Sequence, residues 1–210
     1  TLALVPGDAR EDDRLDRAST LPPEDLRRLW RWFDEGGPDN VASALGWIAA
    51  RLGRDAAWDE PRPLPAHGEM IEAARDGDGP LALVTLYRSI WAAADAAPIT
   101  ALADALAARG FRVRAEWVTS LKDARVVAGL ARLIETERPA IVVNTTAFSA
   151  RLDDGTTVLD RAGVPVLQAV LATCAREAWE GSSRGLAAAD LAMNVVLPEV
   201  DGRIATRAIS

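Results

Sequence analysis

The sequence feature that most constrains the fold is the segment Leu81 to Ser89, which reads LALVTLYRS. Its first six residues carry no charge and follow the turn-rich segment DGDGP, a pattern typical of a buried strand. Three polar residues, Tyr87, Arg88 and Ser89, come directly after this strand. A helical pattern and a second strand pattern follow, so the segment begins an alternation of strands and helices.

The alternation continues to the end of the chain and predicts the fold class. The alternation predicts strands at 81–86, 112–118, 140–145, 165–170 and about 192–197. Apolar residues at helical spacing predict helices at 98–109 and 122–136. Short links between alternating elements predict an α/β domain, because each crossover must bury an apolar helix face. We expect a doubly wound, mostly parallel five-stranded sheet of Rossmann or flavodoxin type within residues 76–210.

Residues 1–75 have a different pattern and are predicted to form a helical region followed by a linker. A helix begins near Pro22 and Pro23, and its predicted apolar face carries Leu26, Leu29, Trp30 and Phe33. A second helix begins at Pro38 and ends before Gly53. The density of Pro, Gly and charge from 54 to 80 predicts a linker.

Composition excludes several classes of function. The chain has 24 basic and 31 acidic residues and a net charge of −7, which argues against binding to nucleic acid or to an anionic membrane surface. With Cys174 as the only cysteine, the sequence allows no intrachain disulfide and fits a reducing cytoplasm. The sequence contains neither a Walker phosphate loop nor a G-x-G-x-x-G motif after a strand. If ATP is used, we expect it to be bound elsewhere.

Polar residues follow each predicted strand, and they are the candidate substrate-binding groups. In open α/β sheets, ligands bind beyond the carboxyl ends of the strands, and parallel strands share that edge. The candidates at this edge are Tyr87, Arg88, Ser120, Lys122, Asn144, Thr145, Thr146, Gln168, Glu199 and Asp201.

Each candidate has a structural alternative. Ser120 begins SLKD, which has capping-box spacing, so it is either the N-cap of the next helix or part of an anion site at that helix. Asn144 to Thr146 could satisfy backbone groups at a strand end. Arg88 needs a partner, which is either a substrate or an internal carboxylate such as Glu199 or Asp201.

Glu199 and Asp201 are the paired carboxylates of this edge. They could accept protons or bind a cation weakly, or they could cap a turn and pair with Arg88 or Arg203. The single histidine, His67, lies in a Pro-rich segment and is a poor metal site. Cys174 is interpreted as packing, because no base is placed near it.

Seven tryptophans offer a second kind of candidate. Trp30 and Trp47 lie on or beside apolar helix faces and are predicted to be core. Trp32, Trp58 and Trp91 fall outside those faces and could mark a surface that packs on another domain or on a macrocycle.

The chain resembles the large subunits of ATP-dependent aerobic cobaltochelatases, the CobN family, and more distantly the large subunit of magnesium chelatase. The resemblance rests on blocks that keep their order along nearly the whole chain: VPGDARED, LPPEDLRRLWRWFDEGGPDN, LVTLYRS, TSLKD, VVNTTAFSA, PVLQAVLA and DLAMNVVLPEVDGRI. It implies an N-terminal fragment of a much longer subunit.

The resemblance also implies an activity and partners. Such subunits bind hydrogenobyrinic acid a,c-diamide and Co²⁺ during cobalamin biosynthesis, while separate AAA+ subunits hydrolyse ATP with Mg²⁺ in a ligase-type reaction. The implied partners of this chain are the remainder of the large subunit and those ATPases. No cofactor is expected on this fragment, and the fragment alone is expected to be inactive. The resemblance identifies no catalytic base among its residues.

Two hypotheses for the sheet edge follow from the residues and the resemblance. In the first, the edge forms one wall of the tetrapyrrole cavity. In the second, the chain is a scaffold that positions other domains or the ATPase partners without contacting substrate.

Overall fold

A computed structural model describes residues 2–6, 12–171, 177, 180–183, 185 and 188–209. The chain divides into two compact units. The first contains Thr1–Pro65 with Ala92–Ala94, and the second contains Ala66–Trp91 with Asp95–Ser210. Cys174 lies outside the described residues, so the interpretation of its role stays a prediction.

The first unit is built on helices α1 (Asp13–Ala18), α2 (Pro23–Glu35) and α3 (Pro38–Arg51). Its core is formed where α2 and α3 bury Trp32, Ala44 and Trp47 against one another. The prediction that Trp30 and Phe33 share the buried face of α2 was wrong. The buried face follows the spacing 26, 29 and 32, so Trp32 is fully buried while Phe33 is 45% exposed.

The second unit is an α/β domain with a six-stranded sheet. Its strands are β1 (His67–Glu69), β2 (Leu81–Tyr87), β3 (Arg112–Val118), β4 (Ile141–Asn144), β5 (Val166–Leu171) and β6 (Ile204–Ile209). The spatial order is β1-β3-β2-β4-β5-β6, and only β1 runs antiparallel to its neighbour. The predicted α/β class with a mostly parallel sheet is therefore confirmed.

Helices cover both faces of this sheet. Helix α4 (Arg88–Ala92) follows β2 directly, α5 (Ala97–Ala107) precedes β3, and α6 (Ala124–Glu137) precedes β4. One face packs against α6 in a core that includes Leu83, Val142, Val126, Leu130 and Ile134. The other packs against α5 in a core that includes Val84, Val143, Ile99 and Ala103. Adjacent strand residues enter opposite cores, as the two-residue period of a doubly wound sheet requires.

Two strand predictions were wrong, and both concern the sheet margins. The segment 54–80 was predicted to be a linker, yet His67–Glu69 within it adds an edge strand, β1, beside β3. Residues 192–197 were predicted to be the last strand. They lie instead in a helical segment formed by α7 (Ala188–Leu191), a π-helical turn (Ala192–Val196) and α8 (Leu197–Val200). The last strand is β6, so the sheet has six strands and not five.

The strand order places a topological switch point between β2 and β4. After β2 the chain adds β3 on one side, and it then returns to add β4 on the other side. Ligands of doubly wound proteins bind in the crevice at this point. The residues that follow β2 and β4 therefore lie where ligands of this fold class bind.

Candidate functional site

Three polar side chains stand in register at the carboxyl ends of neighbouring strands. Thr85 of β2 is opposite Asn144 of β4, and Asn144 is opposite Gln168 of β5. Residues in register on parallel strands point to the same face, so the three side chains form a row. All three are almost completely buried. A buried polar row is stable only if its groups bond to one another.

Asn144 lies at the centre of this row and uses both ends of its amide. Its Oδ1 accepts hydrogen bonds from Thr85 Oγ1 at 2.6 Å and from Thr146 Oγ1 at 3.0 Å. Its Nδ2 donates to Gln168 Oε1 at 2.6 Å and to the Thr146 carbonyl at 2.9 Å. Four bonds saturate the donors and acceptors of the amide. Asn144 therefore has no capacity left for a substrate in this conformation.

Gln168 connects the row to a buried ion pair. Its Oε1 also accepts from Arg203 Nη1 at 3.1 Å, and its Nε2 donates to the Thr146 carbonyl at 2.9 Å. Arg203 Nη2 binds Asp201 Oδ2 at 3.1 Å, and both of these side chains are almost fully buried. We call Thr85, Asn144, Thr146, Gln168, Asp201 and Arg203 the rim network.

Electrostatics within the rim network follow from burial. Burial lowers the pKa of Arg203, and Asp201 opposes this effect by favouring the charged guanidinium. Burial also raises the pKa of the Tyr87 phenol, whose charged form the nearby Arg203 would favour. Arg203 Nε has no hydrogen-bond partner among the described residues. Because a guanidinium stays protonated in proteins, Arg203 is a buried cation, and its ion-pair partner is Asp201.

The loop after β4 is fixed to the rim network. The Thr145 backbone N–H and Oγ1 both donate to the Thr85 carbonyl, at 2.8 and 2.9 Å. Tyr87 donates its hydroxyl to the Ala147 carbonyl at 2.9 Å. Further along, Ser149 Oγ donates to Asp201 Oδ1 at 2.7 Å, and the Ala150 N–H donates to Asp201 Oδ2 at 2.6 Å. The polar groups at this edge thus act as supports for the loop.

The structure brings five of the ten predicted site residues together. They are Asn144, Thr145, Thr146, Gln168 and Asp201, all buried and bonded within the protein. Tyr87 is half-buried against the same loop. Glu199 is exposed in α8, so the two predicted paired carboxylates are in different environments. Both precede β6, whereas the sequence placed them after the last strand.

Three candidates remain. Ser120 and Lys122 lie after β3, and Arg88 is the first residue of α4. The prediction that Ser120 caps α6 was wrong, because the N-cap is Asp123, whose Oδ1 accepts from the Arg125 N–H at 2.9 Å. Hydrogen bonds from Arg125 hold the pKa of Asp123 well below its usual range. Ser120 Oγ instead accepts from the Lys122 N–H at 3.2 Å, and Lys122 is exposed. Arg88 is half-buried at the first position of α4.

Sequence reasoning missed Thr85 and gave Arg203 only as a possible partner of the carboxylates. The signal for Arg203 was the short spacing in Asp201-Gly202-Arg203. Gly202 has a φ of 82°, a left-handed conformation that glycine adopts freely, and the turn brings the two charged side chains together. Thr85 was masked by the apolar run that contains it.

A second buried charge lies at the opposite margin of the sheet. Glu116 of β3 is 2% exposed and pairs with Arg114 at 2.8 Å, while His67 Nδ1 lies 3.8 Å from Glu116 Oε2. Burial raises the pKa of Glu116, and the bond from Arg114 opposes the shift. In the described part of the chain, no group of three His, Cys, Asp or Glu residues could hold a metal ion. Nor does any described helix have the length and apolarity needed to cross a membrane.

Comparison with known proteins places these features in a family. The CobN/Magnesium Chelatase family model matches residues 30–210. An aerobic cobaltochelatase subunit CobN of a Sinorhizobium species is 37% identical over 236 aligned residues, covering 100% of this chain and 18% of the relative. The CobN subunit of Pseudomonas aeruginosa is 36% identical with the same coverage. The chain thus spans about a fifth of the length of these curated relatives.

The fold is similar to that of a solved structure. The catalytic subunit of cobaltochelatase from Mycobacterium tuberculosis superimposes with a TM-score of 0.79 and 24% identity, covering 95% of this chain and 18% of that subunit. At this identity the likeness supports the fold alone.

Proposed function

The chain belongs to the CobN/magnesium chelatase family, and from this premise we propose that it serves in the large subunit of an aerobic, ATP-dependent cobaltochelatase. The observation that carries the proposal is the match to two CobN subunits over the whole chain. The proposed reaction inserts Co²⁺, as substrate, into hydrogenobyrinic acid a,c-diamide during cobalamin biosynthesis. The proposed compartment is the cytoplasm, which fits a chain with one cysteine.

In this proposal the chain supplies one wall of the tetrapyrrole cavity, and its partners supply the rest. The AAA+ subunits hydrolyse ATP with Mg²⁺, which agrees with a sequence that carries no phosphate-loop motif. The remainder of the large subunit completes the cavity. The isolated chain is therefore expected to bind substrate without inserting metal.

The geometry divides eight of the ten candidate residues into supports and contacts. Asn144, Thr145, Thr146, Gln168 and Asp201 are supports, because their polar atoms are buried in bonds with one another, with the Thr85 carbonyl and with the loop 145–151. Replacing such bonds with bonds to a substrate would leave buried groups unpaired, at about 1–3 kcal/mol each.

The accessible candidates are the proposed contacts. The exposed ammonium of Lys122 and the half-buried guanidinium of Arg88 suit the carboxylate and amide arms of the substrate. Glu199 is exposed and unshielded by the rim network, so it is the proposed proton acceptor when the ring nitrogens lose their protons.

Lys122 makes a direct test possible because it is the only lysine in the sequence. The chain is treated with an amine-acylating reagent, with and without hydrogenobyrinic acid a,c-diamide, and peptide mapping separates Lys122 from the N-terminal amine. Saturable protection of Lys122 supports the substrate wall. Equal acylation at every ligand concentration contradicts it.

A second candidate function is favoured by the closure of the rim network. If the network serves only to hold the loop 145–151 and the turn 201–203 in place, the chain acts as a scaffold that positions other domains or the ATPase partners. This reading requires that the chain bind no tetrapyrrole. Titration of the chain with hydrogenobyrinic acid a,c-diamide, followed by the corrin absorbance, distinguishes the two functions by the presence or absence of saturation.

A further inference from the structure

Phe148 occupies an unusual backbone conformation in the loop that follows β4. Its φ is 65°, in the left-handed region that bulky side chains rarely adopt. Asparagine, aspartate or glycine would fit this position with less strain. Residues held in such conformations are concentrated at ligand sites, where the surrounding structure fixes them.

The surrounding bonds determine the conformation of Phe148 from both sides. Its N–H donates to the Met193 carbonyl, in the π-helical turn, at 2.7 Å. The residue before it is held by the Tyr87 hydroxyl, and the residue after it is held by Asp201. Met193, Tyr87 and the rim-network residue Asp201 thus hold the segment that carries the ring.

The ring itself is left open to solvent. Phe148 is 49% exposed although its backbone neighbours are bonded, and Met193 beside it is 39% exposed. An exposed phenyl ring and an adaptable thioether make an apolar contact surface. It lies at the switch point between β2 and β4, where ligands of this fold class bind.

A cationic side chain follows Phe148 in the same loop. Arg151, three residues along the loop, is 44% exposed in its side chain and lies 3.5 Å from Asp201 Oδ1, while its Nη2 donates to the Val200 carbonyl. A ligand that matches these features has a flat apolar body and anionic arms. In a chain with a net charge of −7, such a cation favours an anionic ligand locally.

We propose that Phe148 is a binding residue whose ring packs against the face of the tetrapyrrole macrocycle. Arg151 then faces a carboxylate arm of the same ligand, and Met193 extends the apolar contact. This inference rests on the proposed function, since it names a residue of the proposed substrate wall. Such a contact accounts for a phenylalanine at a position where the backbone favours glycine.

The test compares variants that keep or remove the ring. The chain is titrated with hydrogenobyrinic acid a,c-diamide, and the Kd is obtained from the corrin absorbance. Phe148→Leu removes the flat ring and is expected to raise the Kd about tenfold, the size of one aromatic contact. Phe148→Tyr keeps the ring and is expected to keep the Kd within about twofold of the original.

Two further variants control for folding and for position. Phe148→Gly relieves the backbone conformation, so it should fold and still lose affinity as Phe148→Leu does. Phe33→Leu is the matched control, because Phe33 is a 45% exposed phenylalanine in the other unit. It is expected to leave the Kd unchanged.

The outcomes separate this inference from the proposed function. If the unsubstituted chain binds and Phe148→Leu binds equally well, the role of Phe148 is refuted while the substrate wall stands. If the unsubstituted chain shows no saturable binding, both are refuted. If Phe148→Leu instead abolishes self-association of the chain in sedimentation, with an unchanged Kd, the surface is a contact between copies and the inference is wrong.

Discussion

Replacing Asn144 with alanine tests whether the rim network stabilises the fold. Asn144 is fully buried and accepts hydrogen bonds from the hydroxyls of Thr85 and Thr146. In Asn144→Ala both hydroxyls lose this acceptor, whereas Gln168 Oε1 keeps its bond from Arg203. Two buried unsatisfied groups at about 1–3 kcal/mol each predict a loss of about 2–6 kcal/mol in the free energy of unfolding.

That loss is large against the stability of a typical domain, about 5–15 kcal/mol, and urea unfolding followed by circular dichroism measures it. Thr85→Val removes one donor and keeps the shape, so it is expected to cost about 1 kcal/mol. Asn194→Ala, at a half-buried asparagine outside the rim network, is the matched control and should cost about 0.5 kcal/mol or less. A loss below about 1 kcal/mol in Asn144→Ala would refute the structural role of the network.

Three further predictions concern other parts of the second unit. A β-carbon on Gly129 would overlap the His67 imidazole, so Gly129→Ala should lower the free energy of unfolding by about 1–3 kcal/mol. Adding His67→Ala removes the overlap and should recover part of the lost free energy. Urea unfolding of the single and the double variant measures both effects. Burial raises the pKa of Glu116 above 4.5, so the folded state binds this proton more tightly than the unfolded chain. The difference in stability between the original chain and Glu116→Gln should then favour the original chain most below pH 4.5 and fall as pH rises through the folded pKa. Thermal unfolding of both chains at several pH values measures this difference, and a difference that grew with pH would contradict the prediction. Phe148→Gly should change the free energy of unfolding by less than about 1 kcal/mol, because relief of the left-handed conformation, about 1–2 kcal/mol, offsets the lost burial of half a ring. A larger loss in urea unfolding would show that the ring serves mainly as part of the core.

The central strands could be predicted from the sequence because both of their faces are buried. A strand covered by helices on each side needs a continuous apolar run, and β2 has one. β3, which reads RVRAEWV, instead alternates charged and apolar residues over most of its length, and this alternation is also a strand pattern. The margins lack this requirement. β1 is three residues long, HGE, and carries no apolar residue, while β6 is exposed along nearly all of its length. Both segments become strands because they pair with a neighbouring strand. The residue pattern of a short segment does not show whether it will pair.

The segment 192–197 misled for a related reason. Its paired valines favour a strand, but β-propensity reflects packing on a sheet more than an intrinsic backbone preference. Val196 is 53% exposed in the helical segment, so the sheet supplies no such packing there. Pro198 then falls in the first turn of α8, a position that proline tolerates.

The candidate site was predictable in position and less so in role. The rule that parallel strands share a carboxyl edge brought Asn144 and Gln168 together, as the structure has them. Asp201 was predicted to follow a strand at 192–197 that does not form, and it joins the network from the turn before β6. The same rule gives no information on whether a polar side chain faces a ligand or another side chain. That depends on register across three strands and on a turn 35 residues beyond Gln168, where Arg203 completes the network.

Amide hydrogen exchange measures whether the rim network closes on itself and holds the loop 145–151 as a rigid support. The informative amides are those of Thr145, Phe148 and Ala150, which donate to Thr85, Met193 and Asp201. In the chain without ligand, these amides are expected to exchange as slowly as the amides of β4 and far more slowly than that of the exposed Asp55. Exchange of these three amides as fast as that of Asp55 would contradict it.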